Sequence, residues 1–177
     1  MPEALLIVDV QNDFLPGGAL AVPDGDEVIA HINELAADPR FAAVIATRDW
    51  HPPDHGSFKD KGGPWPEHCV QGTPGAELAS DIERGRIDAV ISTGTDPDAD
   101  GYSGFENEEL RELLRQEQVV AVTIVGLATD VCVLHTARDA LREGLVVTIE
   151  TAGTRGIEPE STEAALKELG DAGAQIK

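Results

Sequence analysis

The sequence predicts a three-layer α/β fold around a mostly parallel sheet, and two observations support this prediction. Short runs of apolar, β-branched residues alternate along the chain with longer segments whose apolar residues recur at helical spacing. The short runs are apolar at nearly every position, as expected of strands that are covered on both faces of a parallel sheet. A regular alternation of strands and helices favours parallel strands with helices packed against the sheet.

Five apolar runs are predicted strands, and a sixth strand is expected near the C-terminal end. In chain order the strands are predicted at 4–9 (ALLIVD), 42–47 (AAVIAT), 88–93 (DAVIST), 119–126 (VVAVTIVG), 145–150 (LVVTIE) and 174–176. Helices are predicted at 25–38, 75–84, 106–116, 129–143 and 159–172. The segment 50–74 is too rich in Pro and Gly for a regular element, and loops of this length usually have a function. A length of 177 residues suits one domain, residues 1–177.

The composition excludes two classes of partner. Acidic residues outnumber basic residues by 33 to 13, and the formal net charge is −20. This charge repels nucleic acid and anionic membranes, so we expect neither as a partner. The N-terminal MPEALLIVDV has no basic segment and too short an apolar run for a signal peptide or a membrane span, so we expect a cytoplasmic protein. In that reducing compartment, Cys69 and Cys132 are expected to be free thiols.

Polar residues follow the predicted strands at their carboxyl ends, where open α/β sheets bind ligands. Asp9 ends the first strand, Asp49 and His51 follow the second, Thr93 ends the third, and GLATDVC follows the fourth. Because these ends meet at one edge of a parallel sheet, the sequence predicts a site built from them.

Cys132 is a candidate nucleophile. Thr129 and Asp130 are expected to cap the helix at 129–143, so Cys132 falls in its first turn, where free N–H groups and the helix dipole favour a thiolate. A buried structural cysteine is an equally good reading of this position alone. Asp9, at the end of a neighbouring strand, favours the nucleophile because it can act as a base toward the thiol.

A carboxylate and several histidines suggest a metal site. Asp49 and His51 leave the same face of an extended chain, and His55 and His68 follow in the irregular loop. Such a set suits Zn²⁺, Fe²⁺ or Mn²⁺, and the alternative is a solvated loop without a metal. Cys69 could be a soft ligand, but packing is its expected role.

Other residues near these ends have weaker signals. His135 lies three residues after Cys132 on the same helix, but it is expected to point away from the strand ends. An aromatic pocket is expected from Phe14, Trp65, Tyr102 and Phe105, although aromatic residues more often belong to the core.

Five segments in order resemble the isochorismatase-like cysteine hydrolases, and within them the nicotinamidase/pyrazinamidase branch. They are DVQNDF, TRDWHP, WPEHCVQGTPG, GTDPDADGYSGF and VGLATDVCV, and together they run from Asp9 to about Arg155. Each segment alone is a weak signal, whereas five in order are specific. The resemblance implies a Rossmann-like sheet of six parallel strands, and hydrolysis of nicotinamide, a small-molecule amide, to nicotinate and ammonia.

The resemblance also implies roles for individual residues. Cys132 matches the nucleophile that forms a thioester, and Asp9 matches the acid and base. The N–H groups of Ala128 and Cys132 match the oxyanion hole, and the Leu127–Ala128 bond matches a cis peptide. The remaining matches are Asp49, His51, His55 and His68 as ligands of one divalent metal ion, with zinc as first choice and iron or manganese as alternatives, and Phe14, Trp65 and Tyr102 around the substrate ring. A homo-oligomer is left open.

The chain departs from the family pattern at Thr93. The resemblance implies a catalytic lysine at the position of Thr93, immediately before Gly94. This sequence has no lysine from residue 62 to residue 166. A unit charge at about 4 Å and an effective dielectric of about 20 contributes ~4 kcal/mol before the cost of desolvation is subtracted. Half of this energy corresponds to more than a tenfold change in rate. The sequence therefore predicts a weakened amidase, unless the metal, Arg48, Lys59 or Lys61 supplies the charge.

Two other functions fit the same fold. One is hydrolysis of another small amide or of a vinyl ether of the isochorismate type, although vinyl ether hydrolysis needs no thiol and Cys132 therefore counts against it. The other is a degenerate relative that keeps the metal and serves as a binding protein. Thr93 supports the degenerate relative, whereas the presence of both Asp9 and Cys132 argues against it.

Overall fold

The computed structural model describes all residues from Met1 to Lys177, and it has the predicted α/β architecture. The strands are β1 (Glu3–Val8), β2 (Phe41–Asp49), β3 (Ala89–Thr93), β4 (Ala121–Leu127), β5 (Val146–Arg155) and β6 (Gln175–Ile176). The helices are α1 (Val28–Ala36), α2 (Glu108–Gln116), α3 (Leu134–Arg142) and α4 (Pro159–Asp171). The sheet order is β3-β2-β1-β4-β5-β6, and every neighbouring pair of strands is parallel.

The strands are apolar throughout because both faces of the sheet are covered. In β1, Leu6 and Val8 enter a core that is shared with α2, α3 and α4. Leu5 and Ile7 enter the opposite core, which is shared with α1 and with the segment that precedes β3. Both sets of side chains are buried, so the continuous apolar run is what the three layers require.

The helix predicted at 75–84 is wrong. This segment contains the 3₁₀ turn Pro74–Ala76, an isolated bridge at Leu78, a turn near Asp81 and the start of a second 3₁₀ turn, Arg84–Arg86. Its backbone bonds instead to the chain that follows β1, because Asn12 N donates to Glu77 O and Ala79 N donates to Val10 O. Leu78 and Ala79 are nevertheless buried, so the apolar pattern correctly indicated burial but not helical structure.

The strand order places β1 and β4 side by side at the centre of the sheet. From these two strands the chain continues toward opposite edges of the sheet. The connection after β1 leads to β2, whereas β4 pairs with the other edge of β1 and continues to β5. The crevice outside the carboxyl ends of β1 and β4 is therefore the topological switch point, where ligands bind in open α/β sheets. No helix of the chain is both long and apolar enough to cross a lipid bilayer.

Two isoleucines test the importance of the covered central sheet. Ile124 in β4 is fully buried, whereas Ile176 in β6 is 38% exposed. We expect Ile124→Ala to lower the free energy of unfolding by about 2–5 kcal/mol, because it leaves a cavity in a packed core. The control Ile176→Ala should cost about 1 kcal/mol or less. Urea denaturation of both variants measures the difference, and equal losses would contradict the layer assignment.

Candidate active site

The predicted site residues converge at the carboxyl edge of the sheet. Asp9 follows β1, Asp49 ends β2, Thr93 ends β3, and Cys132 lies in the turn after β4. All four are buried, and Asp49 and Thr93 are directly paired across β2 and β3. The sheet thus brings together side chains that are far apart in the sequence, as predicted.

Cys132 lies in a π-helical turn, Thr129–Val133, which leads into α3. A cis peptide bond joins Leu127 to Ala128 immediately before this turn, as the family resemblance implied. The Ala128 N–H has no hydrogen-bond acceptor within the protein, so it is free to donate to a ligand beside the thiol. The predicted oxyanion role of this N–H stays a prediction.

The predicted capping roles of Thr129 and Asp130 are wrong. The Thr129 hydroxyl is hydrogen-bonded to the Thr154 hydroxyl at 2.7 Å rather than to a helix N–H. The Asp130 carboxylate accepts bonds from Ile157 N and Glu158 N, and it therefore holds the chain that leads into α4 instead of capping its own turn. Both side chains hold the turn that contains Cys132 against the end of β5 and the chain after it, and local sequence cannot reveal these partners.

Asp9 and Cys132 form a buried pair across the switch point. The Asp9 carboxylate accepts a hydrogen bond of 2.7 Å from the Thr47 hydroxyl and interacts with the thiol of Cys132. Burial, reinforced by the charge of Asp49, raises the pKa of Asp9 well above its ordinary value. Burial and the charge of Asp9 likewise raise the pKa of Cys132. Burial and the neighbouring carboxylates therefore favour the neutral forms of both groups, and nearby positive charge would favour their ionised forms.

Asp49, His51 and His68 form the cluster that can hold a metal. Their candidate ligand atoms lie within 4.8 Å of one another, with Asp49 Oδ2 at 3.3 Å from His51 Nε2 and 3.6 Å from His68 Nε2. The Nδ1 atoms bond to the carbonyls of Gly94 and Pro66, at 2.8 and 2.7 Å. A carbonyl only accepts, so each Nδ1 donates its proton there and each Nε2 is directed to the Asp49 carboxylate. The donor set fits a divalent ion.

His55 lies beside this cluster but is not part of it. Its ring packs against His51 with a centroid distance of 3.9 Å. Its Nδ1 is 2.6 Å from Ser57 Oγ and its Nε2 is 2.8 Å from Ala99 O, so both nitrogens have protein partners. The role of His55 as a ligand therefore stays a prediction. Cys69 is a buried core residue outside the cluster, as expected.

Asp49 electrostatically links the metal cluster and the Asp9–Cys132 pair. Its carboxylate oxygen also lies within 4.8 Å of the Asp9 carboxylate and the Cys132 thiol. Burial raises the pKa of Asp49, but hydrogen bonds with His51 and His68 outweigh burial and lower it overall. Asp49 is therefore an anion that repels ionisation of Asp9 and of Cys132.

An apolar pocket opens onto these groups. Its lining includes all three residues predicted to bind the substrate ring, Phe14, Trp65 and Tyr102. Cys132 and Asp49 also line it. The Trp65 indole N–H donates to the Tyr102 hydroxyl at 2.9 Å, which fixes these two rings relative to each other. The walls of the pocket are mostly apolar, and Asp49, His68 and Cys132 provide its polar groups. Phe105 is instead buried in the core.

Sequence reasoning missed several pocket residues. Leu20, Val22, Val131 and Ile157 complete the wall. Leu20 and Val22 lie in the loop after β1, and nothing in their local sequence indicates that this loop folds back over the site. His135 packs against Tyr102 at 5.0 Å between ring centroids rather than pairing with Cys132.

No lysine or arginine lines this pocket. Arg48 stacks on Trp50, with its guanidinium carbon 3.7 Å from the ring centroid, and its Nε donates to Ser92. Lys59 and Lys61 are exposed in a separate turn. Thr93 is buried, and its hydroxyl donates to Gly101 O at 3.0 Å and lies 3.4 Å from Asp49 Oδ1. None of the three side chains named as substitutes for the lysine lines the pocket, which leaves the metal as the fourth possible source of charge.

The chain is similar to known proteins over nearly its whole length. Residues 3–176 match the family model described as the isochorismatase domain. The nicotinamidase of Escherichia coli (strain K12) is 40% identical over 200 residues, which cover 99% of this chain and 94% of that protein. The structure of a pyrazinamidase of Pyrococcus horikoshii in complex with zinc has a TM-score of 0.93 and 46% identity, with 100% and 99% of the two chains covered. A structure from L. infantum in complex with nicotinate has a TM-score of 0.96 and 39% identity, with 99% and 92% covered.

The raised pKa of Asp9 predicts a pH-dependent cost to stability. The unfolded chain releases this proton near pH 4, whereas the folded protein holds it to higher pH. Wild-type stability is therefore lost as the pH rises between the unfolded and folded pKa values, by up to about 1.4 kcal/mol per pH unit. Asp9→Asn cannot ionise and keeps an acceptor for Thr47, so its advantage over wild type should grow from about pH 4 upward.

Urea denaturation of metal-free protein at several pH values measures this difference. Asp54→Asn changes an exposed carboxyl group and serves as the control, with no comparable trend expected. A stability difference between Asp9→Asn and wild type that is independent of pH would show that burial does not hold the proton on Asp9.

Proposed function

The chain belongs to the isochorismatase family, and on this premise we propose that it is a metal-containing cysteine amidohydrolase. The substrate is nicotinamide or a similar small aromatic amide, and the products are the acid and ammonia. The resemblance of the five sequence motifs to this family is confirmed by the match over residues 3–176. The observation that carries the proposal is the placement of a buried Cys132–Asp9 pair beside a metal-ligand cluster in one aromatic pocket.

The thiol has the partners that nucleophilic attack on an amide requires. Asp9 interacts with Cys132 and can accept its proton as sulfur attacks the amide carbon. The developing oxyanion would be met by the free Ala128 N–H and by the Cys132 N–H. Asp9 then returns the proton to the leaving nitrogen, and ammonia departs as a thioester forms. Water cleaves the thioester, which releases the acid and restores the thiol.

The cluster of Asp49, His51 and His68 is the proposed site of the metal ion. Two imidazoles and one carboxylate are a preferred ligand set of Zn²⁺, with Fe²⁺ and Mn²⁺ as alternatives. The similar pyrazinamidase of P. horikoshii was solved in complex with zinc, which supports zinc as first choice. We retain His55 as a proposed additional ligand. When bound, the ion would supply positive charge beside Asp49 and an open coordination position toward the pocket.

The pocket walls support an aromatic substrate. Phe14, Trp65 and Tyr102 present ring surfaces around the space in front of Cys132. Such walls bind a flat heteroaromatic ring through dispersion and exclusion of water, and they orient its amide toward sulfur. The similar structure from L. infantum contains nicotinate, the acid that nicotinamide hydrolysis would yield.

A second candidate function is supported by Thr93. The position that carries a catalytic lysine in the family has no charge here, and no other lysine or arginine lines the pocket. A relative that binds a metal and an aromatic ligand without hydrolysing it would fit this departure. The intact Cys132–Asp9 pair favours the enzyme, because the fold alone does not require a thiol and a carboxylate in contact.

Ammonia release tests the proposed activity. We expect zinc-loaded protein to release ammonia from nicotinamide, and Cys132→Ala to lower the turnover number about 1,000-fold or more, because the thioester cannot form. Cys69→Ala is the matched control, because Cys69 is also a buried thiol, its side chain does not line the pocket, and alanine keeps its backbone bonds to Asp13 and His51. Nicotinate binding without ammonia release by wild type would instead support the non-catalytic relative.

Thr93→Lys tests the consequence of the missing charge. We expect nicotinamide turnover to rise more than tenfold, because an ammonium group near Asp9 and Cys132 would favour their ionised forms. Thr93→Met is the control, since it adds comparable length without charge. An unchanged rate in Thr93→Lys, or an equal rise in Thr93→Met, would show that the protein does not lack a cation for catalysis.

A further inference from the structure

The β1–β2 ladder ends before the first metal ligand. The last paired residues are Val8 and Thr47, and Asp9 N makes one further bond to Thr47 O at 3.2 Å. Asp9 has a φ of +50°, so the chain leaves the plane of the sheet at this residue. Asp49 is two residues beyond Thr47 on β2, and β1 no longer runs beside it.

The side chain of Gln11 replaces the missing strand. Its Oε1 accepts from Asp49 N, and its Nε2 donates to Asp49 O, both at 2.8 Å. The second Nε2 hydrogen is directed to Ala76 O, also at 2.8 Å. Gln11 is fully buried, so water cannot substitute for these bonds. A primary amide has the donor and acceptor of a peptide unit, and here it continues the ladder by one residue.

The orientation of this amide is fixed by its partners. Asp49 N–H is a donor and must face Oε1, whereas the two carbonyl oxygens must face the NH₂ group. Exchanging oxygen and nitrogen would leave all three backbone groups opposed to like partners. Gln11 therefore holds the backbone of Asp49 in one position.

Asp13 holds the loop that carries the second histidine of the cluster. Its Oδ2 accepts a hydrogen bond of 2.8 Å from Cys69 N, immediately after His68. Cys69 has a φ of +48°, a strained conformation for a residue with a side chain. Its carbonyl accepts from His51 N at 2.9 Å. The turn after His68 is thus held by Asp13 on one side and by His51 on the other.

We propose that Gln11 and Asp13 are positioning residues that set the affinity and geometry of the metal site. This inference rests on the proposed function, because it assumes that Asp49, His51 and His68 bind the ion. The two side chains follow β1 at alternate positions and reach two separate ligand-bearing segments. If Asp49 and His68 are fixed before metal binding, the protein loses less conformational entropy when the ion binds. Loss of such hydrogen-bond partners typically weakens metal affinity 10- to 100-fold.

Zinc affinity and the visible spectrum of bound Co²⁺ test this inference. We expect Gln11→Leu and Asp13→Ala to bind Zn²⁺ about 10- to 100-fold more weakly than wild type, measured by competition with a chromophoric chelator. Their Co²⁺ absorption bands should shift or weaken because the ligand geometry relaxes. Asp13→Asn keeps an acceptor for Cys69 N and should restore affinity close to wild type.

Asn12 provides the control within the same segment. It is exposed, and its side chain donates to Pro74 O without contacting a ligand-bearing residue. Asn12→Ala should leave Zn²⁺ affinity and the Co²⁺ spectrum unchanged. Gln11→Glu keeps the side-chain volume and one acceptor but loses both donors, so it decides the result for Gln11 if Gln11→Leu does not fold.

The outcomes separate the inference from the function on which it rests. Failure of wild type to bind one Zn²⁺ would overturn the proposed metal site itself. Tight Zn²⁺ binding by wild type and equally by the folded Gln11 and Asp13 variants would overturn only the positioning role. An equal loss in Asn12→Ala would also overturn it, because the effect would then reflect the stability of the whole segment.

Discussion

The buried carboxylate of Asp49 is the constraint on which the rest of the site depends. An anion in an apolar interior is unfavourable unless positive charge or hydrogen-bond donors compensate it. The structure supplies Nε2 of His51 and His68 within 3.6 Å, and the Gln11 amide fixes the backbone. The need to compensate Asp49 explains why polar side chains from three separate segments converge at the end of β2.

The same charge acts on Asp9 and Cys132. Burial and the charge of Asp49 raise the pKa of Asp9, and burial and the nearby carboxylates raise the pKa of Cys132. Any positive charge placed beside Asp49 therefore acts on three groups at once, because it lowers the cost of ionising the other two. A metal ion at this cluster would lie close to Asp9 and Cys132, and its charge would favour ionisation of both groups.

The sequence was sufficient to predict features that depend on local pattern and strand ends. All six strands and four of the five helices are found near their predicted positions, because apolar runs and helical spacing report directly on burial. Asp9, Asp49, His51 and Cys132 could be predicted as neighbours, since parallel strands end at a common edge. The partners of Asp49 could not be assigned, because Gln11 lies 38 residues away and reaches it only after the chain turns at Asp9.

The errors have the same physical origin. The segment 75–84 has helical spacing, but its backbone groups bond to the chain after β1, and this tertiary pairing overrides the local preference. Asp130 has the chemistry of a cap, yet its carboxylate accepts from Ile157 N, which lies 27 residues further along the chain, just before α4. In each case the hydrogen-bond partner is remote in sequence. Local propensity could therefore identify the donor or acceptor, but not the residue to which it bonds.

Thr93 shows that the fold does not depend on the charge that the family places there. Its hydroxyl is bonded to Gly101 O, and the intervening loop is held separately by Glu106, which accepts from Gly94 N and Gly101 N at 3.2 and 3.3 Å. The hydrogen-bonding groups at and after the end of β3 therefore have partners without a lysine at residue 93: the Gly101 carbonyl for Thr93, and the Glu106 carboxylate for the loop. Any cost of the missing lysine therefore falls on the ionisation of Asp9 and Cys132 rather than on the shape of the pocket. For this reason residue 93 can change the chemistry of the site while its architecture stays the same.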